Sequence, residues 1–265
     1  MTDLRDRVVW ITGASGGIGE ALARTAAARG AKLVLTARRE AELERVKASC
    51  PRPGDVAIVT ADLAALDDAA ALAARAGAPF GPVDVLVNNA GISQRTEALE
   101  TDMASYRKLF EIDFFAPVAL TKALLPDMAA RGAGHVVVVS SVFGHMAMAR
   151  RTGYAAAKHA LHGWYDCARI ELGARGVRFT LACPGFVRTD ISRNALGPGG
   201  RAWGKVDHDI GKGMDPTYCA ERIWRAVERD RPEVTIAGIE RVAVYFKRFL
   251  PLAWYTAFAR RLKVS

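Results

Sequence analysis

The chain has 265 residues, 51% hydrophobic and 25% charged, enough to bury a large core, and no low-complexity tract marks it as disordered. Its start, Met-Thr-Asp-Leu-Arg-Asp-Arg, lacks the long apolar stretch of a secretory signal, and Cys50, Cys167, Cys183 and Cys219 show no metal-ligand spacing with the five histidines, so a reduced, cytoplasmic protein without a metal site is expected. A net charge of +9 raises nucleic acid as a partner, but no basic groove interleaved with aromatics accompanies it, and nucleic acid is not expected.

Short β-branched runs alternate with Ala-rich segments of helical period, the pattern of parallel strands joined by crossover helices. The first predicted strand, 7–12, runs into Thr12-Gly13-Ala14-Ser15-Gly16-Gly17-Ile18-Gly19, which opens a predicted helix over 17–29. A glycine-rich turn at that place lets backbone amides approach a pyrophosphate at the positive end of the helix; alone, it would serve equally as a tight strand-to-helix turn. The second strand, 32–37, leads into Arg38-Arg39. No carboxylate stands at its end to accept from adenosine ribose hydroxyls, whereas Arg38 suits a 2′-phosphate, with Arg39 as a helper. Helix 40–48, strand 56–60, Asp62-Leu63 and helix 66–76 follow, then strand 84–88 ending in Asn88-Asn89-Ala90-Gly91.

A long helix is expected over 101–131, a strand over 135–140 and a helix over 153–174. After strand 177–182 and Pro184-Gly185-Phe186-Val187-Arg188-Thr189, the segment 191–214 is too glycine-rich for a good helix. It follows a strand's carboxyl end, where open α/β sheets bind ligands, and is expected to be a mobile functional loop. Helix 216–229 and strand 233–236 complete seven strands, so an α/β fold is expected, one doubly wound parallel sheet with helices on both faces. It forms a single domain over 1–237, followed by a basic extension over 238–265.

A carbonyl becoming an alkoxide needs a proton donor, and a phenol needs help to act as a base in reverse. Lys158 lies four residues after Tyr154 on a predicted helix, hence on the same face, where its ammonium stabilises phenolate. Ser141, at the end of the fifth strand, is placed to hydrogen-bond the substrate oxygen as charge develops. Ser140, the neighbouring alternative, points to the opposite face if the strand persists. His145, His159 and His162 have no partner at metal spacing and are assigned no role.

The spacing Gly-x3-Gly-x-Gly (Gly13, Gly17, Gly19), together with Asn88-Asn89-Ala90-Gly91, resembles the short-chain dehydrogenase/reductase superfamily over roughly residues 5–237. Tyr154-Ala155-Ala156-Ala157-Lys158 matches that family's Tyr-x3-Lys, with Ser141 thirteen residues before the tyrosine, and residues 184–189 match its nicotinamide-side loop. The resemblance implies a Rossmann-type NADP(H)-dependent oxidoreductase acting on a small-molecule carbonyl or secondary alcohol. Tyr154 would be the acid/base beside Ser141 and Lys158. The cofactor would be held by Gly13, Ser15, Gly17, Ile18, Gly19, Arg38, Asp62, Leu63, Asn89, Ala90, Gly91, Pro184, Gly185, Val187 and Thr189, besides Tyr154 and Lys158.

Asp113 departs from the family, which usually carries Asn there and uses that residue's backbone carbonyl to hold a water linked to the lysine. Asp113 supplies the same carbonyl but adds a carboxylate near Lys158, so an NADP(H)-binding sensor with little turnover is the alternative reading. The run from Tyr154 to Cys167 looks closest to members acting on lipid-like, steroid or retinoid substrates, and the two long helices resemble dimer- or tetramer-forming ones.

In the extension, Val242, Tyr245, Phe246, Phe249 and Leu250, then Trp254, Phe258 and Leu262, recur at helical spacing among Lys247, Arg248, Arg260, Arg261 and Lys263. Two readings stand side by side: peripheral contact of 239–263 with an anionic membrane, or packing of the stripe on the body or a second subunit.

Overall fold

The computed structural model describes residues 2–205 and 207–261. Seven strands form one sheet in the order β3-β2-β1-β4-β5-β6-β7. They are β1 (Val8–Thr12), β2 (Lys32–Thr36), β3 (Val56–Ile58), β4 (Val85–Asn88), β5 (Gly134–Val139), β6 (Val177–Pro184) and β7 (Glu233–Ile236), and every pairing is parallel. The order reverses between β1 and β4, which opens a crevice at the carboxyl ends of these strands.

The helices are α1 (Gly17–Ala28), α2 (Glu40–Ala48), α3 (Ala69–Gly77), α4 (Met103–Phe110), α5 (Ala116–Ala130), α6 (Thr152–Leu172), α7 (His208–Gly211), α8 (Pro216–Glu228), α9 (Glu240–Phe249) and α10 (Leu252–Arg261). Alternate strand residues enter opposite cores. Val9, Ile11, Leu33 and Leu35 pack with Leu22 of α1, Leu43 of α2 and Trp224 of α8. Val8, Trp10, Val34 and Leu86 pack with Leu72 of α3, Leu124 of α5 and Tyr165 of α6. A strand covered on both faces must be apolar at successive positions, which is why these runs read as continuous rather than alternating.

The single helix expected over 101–131 is interrupted by a π-helical turn, Glu111–Phe115, between α4 and α5. Pro117 stands four residues after Asp113 and has no N–H, so it cannot donate the α-helical bond to the Asp113 carbonyl. The segment expected as an irregular loop over 191–214 contains a 3-10 turn, Pro198–Gly200, and α7. It is pinned to the loop after β4 by Leu196 N–H to Ser93 O (2.8 Å) and Arg95 N–H to Leu196 O (2.8 Å).

One face of the extension packs on the body, as the second reading expects, and the other is exposed. Ala243 and Tyr255 are buried, and with Phe246 and Phe258 they pack on Val142, Phe143, Met146 and Tyr154. Val242, Tyr245, Phe249 and Trp254 point outward and are exposed. Leu262 and Lys263 lie outside the described residues.

His135 in β5 is buried, its ring held between Thr180 Oγ1 (2.8 Å) and Thr2 Oγ1 (3.0 Å), and burial pulls its pKa down to about 4. The unfolded chain then binds a proton that the folded chain refuses, so stability is complete above the ordinary histidine pKa of about 6.5 and is lost as pH falls from there to about 4. The loss amounts to about 3 kcal/mol. Denaturant titrations should show this fall in the wild type and a smaller one in His135→Asn; equal pH dependence of the two proteins would refute the assignment.

Candidate active site

The glycine-rich turn joins β1 to α1 at the crevice. Gly13 adopts φ +66°, and a Cβ there would meet Ala90 Cα at 2.7 Å; a Cβ on Gly19 would collide with the Gly13 carbonyl. These two glycines let the turn lie against the strand ends. Asn89 fastens the same turn, its Nδ2 donating to Thr12 O (3.0 Å) and Gly13 O (3.2 Å). Asn88 faces elsewhere and donates to Pro117 O, Thr121 Oγ1 and Tyr165 OH.

A cleft of about 570 Å³ runs from this turn across the strand ends. It gathers nearly every residue singled out for cofactor and catalysis: Gly13, Ser15, Gly17 and Ile18 at one part, Arg38, Asp62 and Leu63 at another, and Asn89, Ala90 and Gly91 between. Ser141, Tyr154, Lys158, Pro184, Gly185, Val187 and Thr189 line the same space. Gly19 lies against the turn rather than on the cleft wall, and Asp113 sits behind the wall at Gly91. Arg38 and Arg39 are exposed at the end of β2, while Asp62 caps the turn Leu63–Ala65 by accepting from Ala64 N–H (3.0 Å).

Ser141 leaves β5 with its Oγ accepting from Phe143 N–H (3.2 Å) and donating weakly to Pro184 O (3.4 Å). Ser140 points away from it, its Oγ 3.1 Å from His162 Nε2. Tyr154 packs edge-to-face on Phe143, with ring centroids 6.0 Å apart. Lys158, one turn later on α6, places Nζ 5.5 Å from the centre of the Tyr154 ring and donates to Val139 O (3.3 Å).

Asp113 is fully buried behind these groups. Its Oδ1 accepts from Ile92 N–H (2.8 Å), and its Oδ2 lies 3.4 Å from Lys158 Nζ, an ion pair without hydrogen-bond geometry. Burial holds the Asp113 carboxyl above the usual range against the opposing pull of Lys158 and Ile92. Burial also pulls the Lys158 ammonium down, but the neighbouring Asp113 carboxylate outweighs it and leaves the lysine above its ordinary value. Asp113→Asn keeps an acceptor for Ile92 N–H and removes the charge. Steady-state kinetics should therefore show activity unchanged or raised; a loss beyond about tenfold with intact folding would give the carboxylate its own role.

Three further residues on this cleft's side come from distant segments. Asp207 Oδ2 accepts from both Arg95 Nε (2.6 Å) and Arg151 Nη2 (3.1 Å), and all three are buried. Burial brings Arg151 down to about 9, still charged at neutral pH, so two guanidinium groups share one carboxylate and the wall carries excess positive charge. Phe186, also on the cleft wall, donates its N–H to Glu240 Oε1 (2.9 Å), which ties the loop after β6 to the first residue of α9.

Spacing along the chain offers no metal-ligand set, yet folding brings His145, His162, Cys183 and Glu233 within 4.8 Å of one another beside Ser140. His145 and His162, which have no partner at metal spacing along the chain, gain these neighbours only through the fold, whereas His159 is not among them. The set joins four separate segments, and sequence spacing carries no trace of it.

A glycine cradle at the switch point of a doubly wound sheet, opening into a cleft with serine, tyrosine and lysine, is the arrangement of Rossmann-type oxidoreductases. The family model described as short chain dehydrogenase matches residues 7–197. A fruit-fly protein of Drosophila melanogaster, dehydrogenase/reductase SDR family protein 7-like, is 38% identical over 264 residues, covering 97% of this chain and 81% of its own. A short-chain dehydrogenase/reductase from Burkholderia phymatum solved with NAD superposes with a TM-score of 0.83 at 25% identity, covering 100% of this chain and 99% of that one. A metagenomic short-chain oxidoreductase solved with NADP gives 0.73 at 30% identity, covering 89% and 99%. The chain belongs to the short-chain dehydrogenase/reductase family of oxidoreductases.

Proposed function

We propose that this protein is an NADP(H)-dependent oxidoreductase that moves a hydride between nicotinamide and a carbonyl or secondary alcohol. The observation that carries the reading is the convergence of Ser141, Tyr154 and Lys158 on the cleft that begins at the glycine turn. The residues fit the dinucleotide: Gly16 has open space where a Cβ would stand, and the first amides of α1 have no helical acceptors to compete for them. Those amides would hold the pyrophosphate, Arg38 the 2′-phosphate, Asp62 and Leu63 the adenine end, and residues 184–189 the nicotinamide end. The cofactor supplies the hydride.

In reduction, Tyr154 gives its hydroxyl proton to the substrate oxygen as negative charge grows there, and Lys158 stabilises the phenolate left behind. Ser141 exchanges its long bond to Pro184 O for one to the same oxygen. Ile112, Phe143, Phe186 and Ile191 give the cleft an apolar wall, while Arg95 and Arg151 add excess positive charge. A lipid-like or steroid-like body bearing an acidic group fits both. Following NADPH absorbance against aldehydes, ketones, 3-oxoacyl esters, steroids and acid-bearing ketones tests the reading. Tight NADPH binding with no turnover across that panel would favour the sensor alternative, which rests on the Asp113–Lys158 pair.

Exposed Phe115 beside α5 and Ile170 on α6 support a homodimer or homotetramer built on these helices. Residues 1–237 form the catalytic domain in this reading and 238–265 the extension, in a cytoplasmic protein. Among the described residues no helix is long and apolar enough to cross a membrane. The outward Val242, Tyr245, Phe249 and Trp254, beside exposed Arg248, suit a peripheral contact with anionic lipid. Full-length protein should float with anionic vesicles while Tyr245→Glu/Phe249→Glu does not; absence of flotation by the wild type would refute the contact.

A further inference from the structure

We propose that His145, His162, Cys183 and Glu233 form a four-ligand site for one zinc-like transition-metal ion, separate from the catalytic cleft. The four groups come from four elements. His145 follows the turn Val142–Gly144 after β5, His162 lies on α6, Cys183 is next to last in β6, and Glu233 opens β7.

Their donor atoms all lie within 4.8 Å of one another. Cys183 Sγ lies 3.6 Å from His145 Nε2 and 3.7 Å from His162 Nε2, and His145 Nε2 lies 3.1 Å from Glu233 Oε1. Tetrahedral zinc, with metal–sulfur bonds of about 2.3 Å and metal–nitrogen or metal–oxygen bonds of about 2.0–2.2 Å, holds its ligand atoms about 3.3–3.6 Å apart. Sequence-distant side chains therefore already stand near the edge lengths of that tetrahedron. His162 offers both ring nitrogens, Nε2 towards Cys183 and Ser140, and Nδ1 towards Glu233 Oε2 at 3.5 Å. With Nε2 as the ligand atom, Nδ1 faces the second oxygen of Glu233; with Nδ1 as the ligand atom, Nε2 keeps Ser140 Oγ, outside the shell, to orient the ring.

The donor set also selects the ion. A thiolate and two imidazoles suit zinc and its neighbours and are poor ligands for calcium or magnesium, which take oxygen. Cys183 is fully buried, the two histidines are partly buried, and Glu233 is the exposed member, leaving an entry path on its side. Four protein ligands make a closed site, and the hydride chemistry proposed above uses none of them. The ion would act as a staple between the turn that follows Ser141, α6 and the strands β6 and β7.

The test uses full-length protein without a polyhistidine tag, stripped with a chelator and titrated with cobalt(II). The wild type is expected to bind one equivalent with the strong visible bands of tetrahedral cobalt and a near-ultraviolet thiolate-to-cobalt band, and zinc is expected to displace the cobalt and raise Tm. Cys183→Ser should lose the thiolate band although exposed Cys167 remains. Glu233→Gln, an isosteric change at an exposed position whose fold is checked by circular dichroism, should weaken binding by at least about tenfold. A wild-type spectrum of weak octahedral cobalt without the thiolate band, a band that survives in Cys183→Ser, or equal affinity in Glu233→Gln would each overturn the site. None of these readouts needs nicotinamide or substrate, so they stand or fall independently of the proposed hydride transfer.

Discussion

Tyr154→Phe is expected to lower kcat by about 10²–10⁴-fold while leaving NADP(H) affinity nearly unchanged. The ring supplies the packing on Phe143, and phenylalanine keeps it. The hydroxyl serves the transition state, where a proton must reach the developing alkoxide, so its removal is felt in kcat rather than in ground-state binding. Lys158→Ala should differ in kind, because it strands the buried Asp113 carboxylate without its ammonium partner and should cost stability as well as activity. Stopped-flow hydride transfer and cofactor titration on the same samples check the pair. Wild-type kcat in Tyr154→Phe on any confirmed substrate would remove Tyr154 from its role.

Arg38→Ala is expected to weaken NADP(H) binding by about 10–150-fold, the worth of hydrogen bonds to a charged group at about 1.5–3 kcal/mol, with little effect on NAD(H). Arg38 lies on the cleft wall, exposed at the end of β2, and the loop there offers no carboxylate that would favour ribose hydroxyls. Calorimetry with both cofactors, on wild type and variant, measures the difference. Equal affinity of the wild type for the two dinucleotides would reject Arg38 as the selecting residue.

The sheet was legible because parallel strands buried on both faces must be apolar throughout, and Val136-Val137-Val138-Val139 leaves little other choice. The glycine turn and the Tyr154/Lys158 pair were legible for a different reason. Each is local, set by the steric needs of one turn or by the pitch of one helix. What escaped the sequence is what joins distant segments. Arg95 and Arg151 are 112 and 56 residues from the Asp207 they share, and the His145, His162, Cys183 and Glu233 set spans the turn after β5 to β7. The π-turn at Asp113 lay between these cases: Pro117 signals a missing donor, but apolar periodicity alone does not separate an inserted residue from an unbroken helix. The extension reads as a single amphipathic stripe in sequence, and only packing shows that Phe246 and Phe258 turn inward while Val242 and Phe249 face out.

The bond from Phe186 N–H to Glu240 Oε1 makes the seating of α9 part of the shape of the loop that would border nicotinamide. Two binding equilibria on one molecule that share such a link obey reciprocity. A surface or partner that grips α9 better when the dinucleotide is in place must tighten the dinucleotide by the same factor, and one that prises α9 away must loosen it equally. The extension would then act as a gauge, reporting cofactor occupancy to whatever it rests on and setting that occupancy in return.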